Sequence, residues 1–240
     1  MASDMTIESA MTAFLEYQMR NMYTSIPAQV IQVRSGEECR VDVKPLINMV
    51  FPNFEDMEWA TIPNVPVMYP ASRQSAFTFP IEAGDFVLLV FSQSCIDVFK
   101  AGDGTAQPPS DYRTFNMRDA VAIPGISPFG LSINKQSNRT LPHSTQDAVI
   151  VHNIGTATEC EIRMKPTGEV KITSPIKIEA IAPIVNVTAS TSAAVSAPIS
   201  TVTSLVSAAI TAPIVTINAT TSVAVTTPSF TWAGNTVAVV

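Results

Sequence analysis

Proline recurs at Pro183, Pro198, Pro213 and Pro228, each fifteen residues after the last, and three of the four sit in the tripeptide Ala-Pro-Ile. A period this short limits what the C-terminal quarter can become. Aligned on the proline, the second residue on is Val185, Ser200, Val215 or Phe230, and the fourth is Val187, Val202, Ile217 or Trp232. Between them stand Asn186, Thr201, Thr216 and Thr231, polar in every copy. The tenth and twelfth columns are Ala193 and Val195, Ala208 and Ile210, Val223 and Val225, Ala238 and Val240. Alternation of this kind belongs to a pleated strand, so each repeat is expected to form two short strands. Proline cannot donate to a ladder, and Pro183, Pro198, Pro213 and Pro228 are therefore expected at corners of a winding chain.

The same region carries no charge. Every Asp, Glu, Lys and Arg lies at or before Glu179, leaving residues 180–240 without a charged side chain or a histidine. Ser, Thr, Asn and Pro interrupt the apolar residues too often for a membrane-spanning helix, which needs about 20 predominantly apolar residues. Val, Ile and Thr favour strands, and their abundance argues against disorder. One winding of small Val and Ala side chains cannot cover its own apolar face. It must stack on copies of itself or intertwine with other chains around a narrow bore.

The N-terminal part reads differently. Residues 1–25 are expected to form a helix capped by Ser3, with Asp4 and Glu8 against its dipole and Met11, Phe14, Leu15, Met19 and Met22 on one face. Ile26-Pro27 should end it, and packing on its own domain is the favoured role for that face over docking to a partner. Residues 26–110 show short strands between turns: 28–34, 40–44 and the apolar run Phe86–Phe91, expected to be a buried strand of a small closed or partly open barrel. Residues 111–165 form a connecting region with strands at 120–125, 148–151 and 160–165. From 166 a hairpin through Pro166-Thr167-Gly168 leads into the repeats of 166–240.

The run Pro80-Ile-Glu-Ala-Gly-Asp-Phe-Val-Leu-Leu-Val-Phe91, followed by Ile96-Asp97, resembles the barrel signature of the central spike proteins of contractile phage tails. Arg118-Asp-Ala-Val-Ala-Ile-Pro-Gly125 is similar to the stretch that follows it in that family, and the order of parts matches along nearly the whole chain. The resemblance implies an all-β fold with a short N-terminal helix: an OB-fold barrel followed by an intertwined trimeric β-helix needle. Its trimer core would be Val185, Val187, Val195, Val202, Ile210, Val215, Ile217, Val223, Val225, Phe230, Trp232 and Val240. It further implies a homotrimer in the virion's tail baseplate that pierces the host envelope when the sheath contracts. Its partners would be a baseplate hub protein, transiently the host outer membrane, and a tip-capping protein in preference to an apolar plug. Several such spikes bind iron through a His-x-His motif. Here the histidines are His143 and His152, both upstream of the needle, so no metal or other cofactor is expected.

Catalytic motifs are not apparent: there is no GxSxG, HExxH, Walker loop or GxGxxG. Glu37-Glu38 and Glu55-Asp56-x-Glu58 are paired carboxylates, as glycosidases require, but they lie beside turns where solvated charge is the ordinary reading. Cys39, Cys95 and Cys160 fit neither a disulfide framework nor a zinc pattern and are expected to be buried small hydrophobes. Net charge −6 without a basic run argues against nucleic acid. The first residues carry acids and no apolar stretch, so no secretory signal is expected. A receptor-binding fibre or adhesin is the main alternative, weakened because Val240 falls within a repeat rather than in a recognition head. A polysaccharide-degrading β-helix would need carboxylates on the solenoid. The spike of a contractile bacteriocin or secretion needle shares the same mechanics.

Overall fold

A hydroxyl begins the first helix. In the computed structural model, which describes residues 6–50, 56–204 and 209, the Thr6 side chain accepts a hydrogen bond from the Ser9 amide and starts α1 (Ile7–Arg20). The expected cap Ser3 lies outside the described residues. The helix stops at Asn21, short of the Ile26-Pro27 end expected for it. Pairing explains the early stop: β1 (Ser25–Ser35) already runs beside β6 (Phe86–Phe91) from Ser25↔Val90, so Pro27 sits inside a strand. Pro27 has no N–H to give the ladder, and its carbonyl accepts from the Leu46 amide, 2.9 Å away.

Five strands form the main sheet in the order β5-β2-β1-β6-β7, with β2 at Arg40–Pro45, β5 at Ile62–Pro66 and β7 at Ala120–Pro124. All neighbours in it are antiparallel. The fifth strand lies beyond residue 110, where the barrel is expected to end. β1 serves both sides, pairing with β6 through its first half and with β2 along most of its length. Its register against β2 shifts between Val30 and Gln32 and again between Val33 and Ser35. Such irregularities bend a strand and raise its twist. The sheet accordingly curls into a half-barrel, and a bridge between Val67 and Ala122 brings the chain after β5 to β7.

Inside the curl, Ala28, Val30, Val43, Val87, Leu89 and Ala122 are buried, each on alternate positions of its strand. The run Phe86–Phe91 is buried on one face only, through Val87, Leu89 and Phe91, while Val90 is exposed. The run expected to be a buried strand is therefore buried only on alternate residues. The short ladder of β3 (Met49–Val50) and β4 (Asp56–Met57) and the helix α2 (Asp97–Ala101) complete this part.

A second sheet, ordered β10-β9-β8, joins the end of the connecting region to the first strand after it: β8 at Ala148–His152, β9 at Cys160–Met164 and β10 at Val170–Thr173. The β9–β10 turn is the expected one. Gly168 takes φ +87°, a left-handed conformation that glycine adopts without steric cost, and its amide donates to the Lys165 carbonyl at 2.9 Å. Contacts divide the chain into residues 1–178 and 179–240. In the second unit, residues 179–204 carry no strand, where two per repeat are expected, and all are exposed. A strand needs a neighbour to bond, and one copy of this segment supplies none there. No helix among the described residues is long and apolar enough to cross a membrane.

Candidate functional site

The second sheet has its faces reversed relative to an ordinary soluble domain. Strand register puts Ile150, Ile162 and Ile172 side by side, with Ala148, Met164 and Val170 in the next row and His152 beside Cys160. Directly opposed residues of antiparallel strands share a face, so this face is almost wholly apolar. It is also open to solvent: Ile150, Ile162 and Ile172 are 48%, 41% and 56% exposed. On the other face lie Glu161 and Arg163, and that face is the covered one, with Glu161 only 4% exposed.

The connecting loop does the covering. Arg163 pairs with Glu161 at 2.6 Å and donates to the Pro142 carbonyl at 3.2 Å. Glu159, at the foot of β9, accepts from the backbone amides of Thr140 (2.7 Å) and Gly155 (2.8 Å), with Arg139 3.9 Å away. Burial alone would raise the Glu159 carboxyl, but the Gly155 and Thr140 amides and the nearby Arg139 charge hold it below the usual carboxylate range. A carboxyl depressed by folding stabilises above its unfolded value and loses that contribution as pH falls through its lower folded value. Hydrogen exchange across residues 139–159 should therefore accelerate on acidification only below the ordinary glutamate range. Acceleration in Glu159→Gln should show no such step, and an identical pH profile in both chains would refute the assignment.

Facing the isoleucine row is an open groove of about 560 Å³, walled on its far side by Phe77 and Phe79. The two rings pack edge to face with centroids 6.1 Å apart, and Tyr69 holds the wall by donating to the Phe79 carbonyl at 2.9 Å. Glu161, Lys177 and Ile178 also stand among its lining residues.

Elsewhere, Arg113 gathers three carboxylates, from α2, from its own loop and from the turn before β7. It reaches both oxygens of Asp119 (2.7 and 2.9 Å), Asp97 at 2.5 Å and Asp111 at 3.1 Å. Asp119 is fully buried and also accepts from the Ile96 amide at 3.0 Å. The guanidinium is pushed well above its usual range, first by Asp119 and then by Asp97, and Arg113 in turn holds Asp97 below the usual carboxylate range. Cys95, Asp97 and Asp119 are the one set of metal-type ligands that converge among the described residues. Arg113 already supplies the cation there, and its fork is matched to both carboxylates. The cluster ties α2 and the residues before β7 to the loop at 111–113, which is a bracing function.

Val185, Val187, Val195 and Val202 are all exposed in the single chain, as are the corners Pro183 and Pro198. Ile210, Pro213, Val215, Ile217, Val223, Val225, Pro228, Phe230, Trp232 and Val240 lie outside the described residues. The suspected carboxylate pairs are dispersed on the surface: Glu38 pairs with Arg40, Glu58 with Lys44 at 2.6 Å, and Asp56 accepts from Asn48 at 2.9 Å, while Glu55 lies outside the described residues. His143 is half-buried, with Nδ1 2.7 Å from the Ser144 carbonyl, and His152 is exposed on β8. Of the cysteines, Cys95 is buried as expected but Cys39 and Cys160 are only half-buried. The left-handed backbone at Cys39 (φ +50°) places it in a turn rather than a core. The helix α1 buries none of its residues, contrary to the expectation that it packs on its own domain.

Reversed faces and the Arg113 brace were not found from sequence. The alternation of Ile162 with Glu161 and Arg163 was legible, yet it assigns faces without saying which one is covered. No curated protein matches the chain. Residues 26–125 match the model of the phage protein Gp138 N-terminal domain, a span that runs from the second residue of β1 to the residue after β7 and so takes in the whole curled sheet. That match supports a phage structural protein, tail-related and associated with the virion.

Proposed function

We propose that the chain is the central spike of a contractile tail baseplate, a homotrimer whose OB-fold barrel seats on a hub protein and whose repeats wind into a needle that pierces the host envelope. The observation that carries this reading is the apolar, solvent-facing side of the second sheet, on a chain that runs on into 61 residues without a charge. A face of aligned isoleucines open to water marks an association surface. The repeats beyond it leave Val185, Val187, Val195 and Val202 in the same condition. Intertwining copies covers both and pairs the free strand edges. Removing charge from the far segment lowers the cost of entering hydrocarbon, where one charge at mid-bilayer costs about 2.5–3.5 kcal/mol on insertion scales.

Light scattering on the isolated protein should give a mass near three times the 25.7 kDa chain, and a monomer would overturn the reading. In the virion, lysine at Thr201 and Thr216 should leave assembly intact and depress infectivity. Full infectivity in that double variant would remove the charge argument.

A further inference from the structure

A two-heptad helix that buries none of its residues leaves an apolar face to be covered. The 14 residues of α1 are marginal for an isolated helix in water, where the threshold is about 12–15. None of them is buried; Met11, Phe14 and Leu15 are about 60% exposed. At 3.6 residues per turn, Ile7, Met11, Phe14 and Gln18 form one line along the helix. Ala10 and Tyr17 flank it on one side and Leu15 on the other, an arc about 160° wide, beyond which Glu8 stands between Leu15 and Met19. The opposite face carries Ser9, Thr12, Glu16 and Arg20.

Three features choose the occupant. An arc this broad exceeds the two-position seam of a helix pair and suits a helix in contact with two neighbours. The polar residues, with two glutamates against one arginine, lack the Lys/Arg-rich character of helices that lie on anionic lipid. Gln18 is the one polar side chain in the central line. Around a rotation axis its amide meets the same amide of each neighbour, which satisfies it and fixes register, as single polar core residues do in coiled coils.

We propose that the α1 helices of the copies in one assembly pack against each other as a parallel bundle centred on Ile7, Met11, Phe14 and Gln18. This rests on the homotrimer proposed above, which gathers three copies of α1 and raises their effective concentration far beyond what so short a helix would need in free solution.

The test is oxidative cross-linking of the full-length chain. Phe14→Cys treated with copper phenanthroline should give a disulfide-linked dimer band several-fold stronger than the unsubstituted chain, in which Cys39, Cys95 and Cys160 set the background. Glu16→Cys, on the outer face, should stay at that background. Phe14→Glu should keep the three-chain mass by light scattering while losing the helical far-ultraviolet signal of α1. If the unsubstituted chain is a trimer and Phe14→Cys links no better than Glu16→Cys, the bundle is overturned and the spike reading stands. An unsubstituted monomer would overturn both.

Discussion

Replacing Arg113 by alanine lowers the thermal midpoint of the 1–178 unit by about 10 °C. The residue is the only cation reaching Asp119, which is fully buried, among the ion pairs of the described residues. Deleting it leaves that carboxylate without its bidentate partner in a dry site. Breaking a buried pair by removing one member costs about 3–5 kcal/mol, and a domain of this size loses about 2–4 °C per kcal/mol. Lysine should recover only part of the loss, because a point charge cannot reproduce the fork that meets both Asp119 oxygens. Acid sharpens the test. Arg113 holds the Asp97 carboxyl below its usual range, so the stabilisation from that pair is complete above the unfolded value and fades as pH falls through the folded one. Unfolding curves of Arg113→Ala and the unsubstituted protein should converge on acidification. Equal midpoints at neutral pH would show that the brace contributes nothing.

What the sequence made legible depended on whether a signal was local. Strands β1, β2, β6, β7 and the β9–β10 hairpin were readable because alternation and turn residues are written within a few positions. The Arg113 cluster was not, since Asp97, Asp111 and Asp119 converge only once α2 and the loop before β7 fold against the same arginine. Helix α1 was readable as amphipathic, yet amphipathicity says only that a face must be covered. Whether its own domain does the covering is a tertiary fact, and here none of its residues is buried. Its C-terminal end was misplaced for a related reason: Pro27 reads as a helix stop, but strand pairing with β6 begins two residues earlier and overrides that signal. The repeats carry the clearest period in the chain and the least local structure among the described residues. Their strands depend on neighbours that one copy does not contain.

Ile162→Lys should reduce the assembly from three chains to one while leaving each chain folded. Ile162 lies at the centre of the apolar row, with Ile150 on one side and Ile172 on the other. In the single chain it is 41% exposed, so a lysine there can extend its amine into water and costs little. In an assembly closed on this face, each copy would bury the new charge and bring it near its symmetry mates. Losing a buried isoleucine forfeits about 1.5–3 kcal/mol per chain, and desolvating an unpaired ammonium adds several more. Those terms act once per copy, so association should weaken by well over about 100-fold, given 1.4 kcal/mol per decade. Ile162→Val, which keeps the face apolar, should preserve the three-chain mass. Charge on the reverse face is already accommodated at Lys171, which is exposed beside Arg163, so the sensitivity belongs to one side of the sheet and not to the sheet as a whole. The two substitutions separate folding from association: Arg113→Ala shifts the midpoint of the barrel, whereas Ile162→Lys shifts mass. A three-chain mass for Ile162→Lys would mean that the isoleucine row faces water in the assembly, and copies would then have to be held together by the repeats and the α1 bundle.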